Sequence, residues 1–456
     1  LHLSIRRQRQ MCIRDRHKYL FSVNARVDGS SRFGTNNKYG FFPSASAGWR
    51  ISEEAFMEPV KEVISNLKLR ASYGFTGNTE IGVYESLATL GTSNWILGNQ
   101  LVSGFFPNKI PNPDLKWERT GQFDIGLDLG LFNNRLRITT DYYKKKTTDL
   151  LYSVAVPATS GYQTMLKNIG SIENQGYELS IESDNLTGAF SWTTAFNIAF
   201  NRNKVLELGG EEYKEMAEGD GHLKTGSVRR LIVGEPIGVF YGYRFDGIFQ
   251  NEEECKQQTS SASPIGVGLR RYKDLNGDGK VDAANDREIL GDANPKFFGG
   301  LTNTFAYKGF ELNVFLQYSY GNKILNYNAM ELENPTGGQN AYADMVNRWT
   351  PENPSNIYPK ATTNRALLVS DRFIEDGSYL KLKTLSLSYS FPKINLKHIQ
   401  GLRLYVTGQN LLTWTKYRGY DPEVSYRGAS TLEAGEDFGG YPQSRTFMFG
   451  IKLDIK

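Results

Sequence analysis

Apolar residues recur at every second position in one stretch after another of this 456-residue chain, and that period of two restricts the fold more than any other feature. Tyr19, Phe21, Val23, Ala25 and Val27 alternate with Ser22, Asn24, Arg26 and Asp28. Leu67, Leu69, Ala71, Tyr73 and Phe75 alternate with Lys68, Arg70, Ser72 and Gly74, and Phe123, Ile125, Leu127 and Leu129 alternate with Gln122, Asp124 and Asp128. The same pattern returns around Tyr177 to Glu182, Trp192 to Phe200, Phe310 to Tyr318 and Leu385 to Phe391. At the end of the chain Phe447, Phe449, Ile451, Leu453 and Ile455 alternate with Met448, Gly450, Lys452 and Asp454. Successive side chains of a strand point to opposite faces, so each stretch reads as a strand with one apolar and one polar face. On the order of a dozen strands are predicted, in one large antiparallel sheet.

Composition agrees, because an aromatic share of 13% with 46 glycines favours strands and turns over helices. No run approaches the roughly 18 apolar residues of a membrane-spanning helix, which excludes a helical membrane protein. A membrane barrel is not excluded, since its alternating strands average to nothing in a hydropathy window. The net charge of +4 is too small and dispersed for a nucleic-acid footprint, so no nucleic-acid partner is expected. Cys12 and Cys255 allow at most one bridge and have no metal spacing.

A soluble β-sandwich would show the same period, and three features favour a barrel in a lipid bilayer instead. Short turns such as Phe132-Asn133-Asn134-Arg135 contrast with long polar segments near 208–235, 246–296 and 328–376. Aromatics gather at strand ends, as in Phe41-Phe42, Tyr142-Tyr143 and Tyr318-Ser319-Tyr320. Charged residues alternate along many strands, as a wet lumen permits, and no linker divides the chain. The expected fold is therefore all-β: part of a large antiparallel transmembrane β-barrel with long extracellular loops. Residues 1–16, LHLSIRRQRQMCIRDR, are Arg-rich without a strand period and are expected to be a foreign or disordered arm, leaving 17–456 as barrel.

Several strings together resemble the SusC/RagA family of TonB-linked outer-membrane proteins. They include RVDGSSRFG (26–34), FPSASAGWRISEE (42–54), NPDLKWERT (112–120), NIGSIENQGYELSI (168–181), DLNGDGKVD (274–282), ILGDANPKFFGGLTN (289–303) and GQNLLTWTKYRGYDPEV (408–424). The resemblance implies a cell outer-membrane location and import of oligosaccharides or peptides, with a SusD-like surface lipoprotein as partner. It implies energy from TonB and no enzymatic activity. Family members are much longer, with a signal peptide, a small N-terminal domain, a TonB-contacting segment and a plug. None of these is read here, so the chain is expected to be the C-terminal barrel part, TonB acting through a region outside it. A siderophore-type TonB-dependent receptor and a surface calcium-dependent carbohydrate-binding β-protein are the alternatives.

One ligand constellation stands out in the residues themselves. Asp274, Asn276, Asp278 and Asp282 occupy positions 1, 3, 5 and 9 of a calcium loop, Gly279 sits at its sharp turn, and Lys280 offers a backbone carbonyl. Asn285 stands where a closing glutamate belongs and Asp286 follows it, so structural calcium is expected with a displaced closing carboxylate. The same residues also suit an Asp/Asn/Gly turn in a surface loop. Four His are too scattered for a metal or nucleophile site, and no Ser-centred elbow or phosphate loop is present. Glu53-Glu54 and Glu252-Glu253-Glu254 read as solvated charge in polar loops. Trp95, Trp117, Trp192, Trp349 and Trp414 suit sugar stacking, or girdle and wall packing. Substrate-contacting residues are not legible.

Overall fold

The computed structural model describes residues 6–15, 18–162, 164–216, 219, 222–223, 225–333, 340–362, 367–391, 399–428, 430 and 432–455. Two compact units divide the chain: Leu1–Ser183 with Arg202–Glu212, and Asp184–Asn201 with Tyr213–Lys456.

The sheet of the first unit is built from β1 (Arg6–Asp15), β2 (Tyr19–Gly29), β3 (Tyr39–Arg50), β4 (Ile64–Asn78), β5 (Glu118–Leu131), β6 (Leu136–Thr148) and β7 (Ser171–Thr187), neighbours in that order. In the second unit the order is β8 (Phe190–Glu207), β9 (Phe297–Tyr307), β10 (Phe310–Tyr320), β11 (Tyr379–Ser390), β12 (Ile399–Thr415) and β13 (Thr446–Ile455). Every described pairing between these strands is antiparallel, from Arg6↔Asp28 in the first unit to Leu402↔Leu453 in the second.

Turn chemistry fixes the register. Lys308 and Gly309 both have positive φ, 45° and 88°, and join Tyr307 to Phe310 in a two-residue loop whose twist matches that of its strands. Phe132, Asn133 and Asn134 turn with φ of 53°, 57° and 62°, a conformation that Asn tolerates better than most residues. Within each unit one end of the strands carries such short connections. The other end carries segments long enough to hold strands and helices of their own, among them Thr89–Leu97 paired with Gln100–Lys109, and the helix Tyr327–Leu332.

Residues Arg6–Asp15 were expected to lie outside the strands and instead pair with β2 along their whole length, Arg6↔Asp28 through Asp15↔Tyr19. A strand edge offers unpaired N–H and C=O groups to any extended backbone, so pairing there needs no side-chain period.

The apolar faces of the strands are not a core. Phe447, Phe449 and Ile451 on β13 are 64%, 82% and 68% exposed, and Phe21, Val23, Tyr73, Phe123, Tyr177, Phe310 and Leu387 are exposed as well. Burial is concentrated in the long connections. In the second unit Phe240, Leu325, Tyr327, Met330, Val369 and Phe373 pack into one cluster, with Leu290, Tyr342 and Phe438 against it. In the first unit Phe33, Phe42, Leu115 and Trp117 do the same. A sheet that leaves its apolar side open while its polar connections bury a core inverts the order of a soluble β-protein. A bilayer as solvent accounts for the inversion.

Candidate functional site

On the polar face of the first unit, charges meet across neighbouring strands. Arg70 of β4 forms a two-pronged bond to Asp128 of β5, 2.9 and 3.0 Å, and reaches Asp141 of β6 at 3.0 Å. Ser72 donates to Asp124 at 3.2 Å, and Gln122 donates to the same carboxylate at 2.9 Å. Lys68, Arg70, Ser72 and Asp124 line a recess of about 410 Å³ together with Leu20, Phe21, Ala47 and Ala71. The charged side of the recess is one that water can solvate, and a bidentate guanidinium–carboxylate pair orders it.

Three of the strings quoted from the sequence, 26–34, 42–54 and 112–120, interlock at the loop end of this unit. Phe33 packs on Trp117 with centroids 4.9 Å apart, and Phe42 meets the same indole edge-on at 5.4 Å. Arg32 donates to the carbonyls of Thr79 and Ile81 at 3.1 and 2.8 Å. Gly34 passes so close to Pro113 that a Cβ would lie 2.0 Å from its carbonyl oxygen, so no other residue fits there.

The loop body of the second unit is cross-linked by ion pairs, of which Arg229–Glu436 and Lys381–Asp421 are shut off from solvent. Arg229 bonds Glu436 at 2.8 Å. Glu333 receives Arg372 at 2.6 Å and Arg418 at 3.0 Å, and Arg418 also holds Glu375 at 2.8 Å. Lys381, buried on β11, bonds Asp421 at 3.0 Å and also pairs with Glu423, which takes Lys383 at 2.9 Å. The Tyr417 hydroxyl donates to Asp437.

These contacts set the protonation of the loop groups. Burial alone would raise the Glu423 carboxyl, but the bonds from Lys381 and Lys383 outweigh it and hold the group below the usual range. Burial, reinforced by the bond to Asp437, pushes the Tyr417 phenol well above its ordinary value. Burial opposes the charge of Arg418, yet Glu375 and Glu333 raise it beyond the ordinary guanidinium range. Full burial lowers Arg270, whose guanidinium lies 5.5 Å from the Phe373 ring centre.

The six residues expected to hold calcium lie in a single loop. Asp274 accepts the amides of Gly277 and Gly279, both at 2.7 Å, and Asp278 accepts that of Lys280 at 2.8 Å. Asn276 donates to Asp278 at 2.9 Å, and Lys280 pairs with Asp282 at 3.1 Å. Asp286 is fully buried and accepts the amides of Leu275 and Asp282 at 2.8 and 2.7 Å, closing the loop on itself. Among the described residues no group of three or more His, Cys, Asp or Glu is gathered closely enough to hold a metal ion.

Of the acidic groups read as solvated charge, Glu53, Glu252 and Glu253 are exposed, while Glu54 and Glu254 are held by hydrogen bonds. Glu252–Glu254 open a short helix in which Asn251 accepts the Glu254 amide at 2.9 Å while the Glu254 carboxylate accepts that of Gln250, a reciprocal cap. Glu54 receives Lys18, the Tyr19 hydroxyl and the Trp49 indole at 3.0, 2.8 and 3.1 Å. Of the tryptophans, Trp117 is buried, Trp192 donates to Asn303 in the sheet, Trp349 donates to Gln250, and Trp95 and Trp414 are exposed.

Comparison with known proteins agrees with this geometry. A family model described as "TonB dependent receptor-like, beta-barrel" matches residues 10–411. The TonB-dependent receptor P3 of Formosa agariphila is 41% identical over 443 residues, covering 96% of this chain and 44% of that protein. The TonB-dependent receptor SusC of Bacteroides thetaiotaomicron is 32% identical over 458 residues, covering 96% of this chain and 42% of SusC. The solved RagAB peptide transporter superposes with a TM-score of 0.82 at 27% identity, covering 99% of this chain and 47% of that one. The chain thus spans less than half the length of the relatives it matches. With its open apolar sheet faces, charged opposite faces and packed loop body, the chain belongs to the SusC/RagA-like TonB-dependent receptors, β-barrel proteins of the outer membrane.

Proposed function

We propose that this chain works in a TonB-dependent importer that carries oligosaccharides or peptides across the outer membrane, together with a SusD-like surface lipoprotein. One observation carries the reading: a sheet apolar and exposed on one face and lined by paired charges on the other, in a chain whose solved relative is a peptide transporter. The first face suits lipid and the second suits a hydrated path. TonB would act through a region of the assembly outside this chain. The reading assigns the chain no catalytic step.

The hairpin Thr89–Lys109 supports a protein partner at the long-loop end. From Ser86 to Asn108 the sequence contains no charged residue. Leu90, Ile96, Leu101 and Phe105 on one side of the ribbon and Trp95 and Phe106 on the other are exposed. A lone two-stranded ribbon is marginal in water, and an exposed apolar patch of this kind marks an interaction surface.

The test is deletion of the gene encoding this chain in a strain with intact TonB, followed by uptake of labelled oligosaccharides and peptides. Loss of uptake for one class, reproduced by disabling TonB, is expected. Uptake that ignores both changes would overturn the reading.

A further inference from the structure

We propose that Asn276 is a deamidation site held latent by Asp274, whose carboxylate keeps the Gly277 amide from attacking the Asn276 side chain. The proposal is independent of the importer reading.

Asn276 and Gly277 form the one Asn-Gly pair in the chain, and both residues are exposed. In such a pair the backbone nitrogen after the asparagine closes a five-membered ring on the side-chain carbonyl carbon, and glycine has no Cβ to crowd the approach. Gly277 has a φ of 76°, and beyond its chain neighbours no group lies within 4 Å of where a Cβ would stand. The peptide is therefore open to water. The Asn276 side chain is already folded along the backbone, its Oδ1 accepting the Asp278 amide at 3.2 Å and its Nδ2 donating to the Asp278 carboxylate at 2.9 Å. The first of these bonds aims a donor at the oxygen on which charge gathers as Cγ is attacked.

What opposes the reaction is Asp274. The Gly277 nitrogen must give up its proton to attack, and that N–H donates to one Asp274 oxygen at 2.7 Å, while the Gly279 N–H donates to the other at the same distance. A carboxylate bonded to an N–H favours the protonated nitrogen, and its charge opposes an anion forming beside it. The carboxylate cannot swing aside without losing both amides. A charge-assisted bond of this kind slows the attack roughly ten- to a hundredfold.

Once the bond is released, the Gly277 nitrogen loses its proton to hydroxide and forms the N–Cγ bond. The Cγ–Nδ2 bond breaks, and the leaving nitrogen takes a proton from water and departs as ammonia. Water then opens the cyclic imide at either carbonyl, giving aspartate or isoaspartate. Both products add a negative charge beside Asp274, Asp278 and Asp282. Isoaspartate also lengthens by one carbon the backbone that spaces them.

The test incubates the full chain in detergent micelles at mildly alkaline pH with a chelator present. Peptide mapping by mass spectrometry follows the amide-to-acid change at 276, with electron-transfer fragmentation to identify isoaspartate. Folded wild type is expected to convert roughly ten- to a hundredfold more slowly than the same chain in guanidinium chloride. Asp274→Ala should bring the folded rate close to the unfolded one, and Asn276→Gln should abolish the change at this position. Asp286→Ala removes the acceptor of the Leu275 and Asp282 amides and leaves that of Gly277, so it should accelerate conversion less than Asp274→Ala does.

Folded wild type that converts as fast as the unfolded chain would overturn the proposal. So would Asp274→Ala that converts no faster than wild type, since the carboxylate would then not restrain the amide. Equal acceleration by Asp286→Ala would assign the protection to the order of the whole loop and remove it from Asp274.

Discussion

Arg229 and Glu436 stand 207 positions apart and meet at 2.8 Å in an ion pair from which water is excluded. The guanidinium also donates to the carbonyls of Gly238 and Ala434 and lies 4.2 Å from the Phe240 ring centre. Burying two charges costs several kcal/mol per ion, and these added bonds are what offset it. The pair therefore joins the segment before β9 to the segment before β13.

Removing one partner should cost more than removing both. Arg229→Ala leaves the Glu436 carboxylate buried, with the Tyr327 hydroxyl at 3.4 Å and the Arg427 guanidinium at 3.5 Å as its longer remaining partners among the described residues. The expected loss is about 3–5 kcal/mol, and Arg229→Met with Glu436→Leu should recover most of it. Urea unfolding followed by tryptophan emission measures both. A double variant no better than the single one would refute the argument.

The exposed face of β13 predicts a sharp asymmetry. Phe449 is paired with Val406, and both lie on the apolar side. Phe449→Arg places a charge in hydrocarbon, at about 2–4 kcal/mol near the bilayer midplane. Lys452→Arg on the alternate face keeps charge where water reaches it and should be nearly silent. Unfolding titrations in liposomes compare the two, and equal effects would mean that the apolar face does not meet lipid.

The sheet was legible because period two survives in the sequence wherever one face meets an apolar medium. Phe447 to Ile455 show this most simply, since a slip of one residue would invert every side chain. The loop body was not legible. Arg229 and Glu436, or Glu333 and Arg418, gain their meaning only through contacts that no periodicity records. Segments 208–296 and 328–376 are rich in polar residues, and polarity signals exposure until its partners are known. Leu325, Tyr327 and Met330 were hidden for the same reason, lying in a stretch that Asn322, Lys323, Asn326, Asn328 and Glu331 break up without a regular period. Glu254 could have been recognised, because Asn251 three positions earlier completes a capping pattern. The strand Arg6–Asp15 could not, since its pairing is carried by backbone.

Acid should loosen the segment 416–445 before it disturbs the sheet. The Glu423 carboxyl is held below its ordinary value in the folded protein by Lys381 and Lys383. A depressed folded pKa means that the unfolded chain takes up the proton first. Its stabilisation is complete above the ordinary carboxylate range, around pH 4.3, and is lost as pH falls through the lower folded value. Hydrogen exchange at 420–424, followed downward from pH 6, should show protection lost below about pH 4. In Glu423→Gln that acid step should shrink. An unchanged step would assign it to another group.

Calcium is proposed for the loop Asp274–Asp286, and the structure separates two kinds of acidic residue within it. Asp274 and Asp278 accept backbone amides, and a carboxylate oxygen that takes one N–H keeps a second lone pair for a cation. Asn276, Asp282 and the Lys280 carbonyl add oxygens of the hard kind that calcium prefers. Asp286 differs, because it is fully buried and the amides it holds, those of Leu275 and Asp282, come from opposite ends of the loop. Its role is to close the backbone on which the others are spaced. Asp278→Ala should therefore abolish calcium uptake in calorimetric titration while leaving the Leu275 and Asp282 amides of the calcium-free loop protected. Asp286→Ala should strip protection from the Leu275 and Asp282 amides even without calcium, and weaken uptake as a consequence. If wild type takes up no calcium, the cation assignment fails while the closing role of Asp286 is still measured by exchange. If Asp286→Ala leaves those two amides protected, the closing role fails, since the carboxylate is their acceptor in the fold.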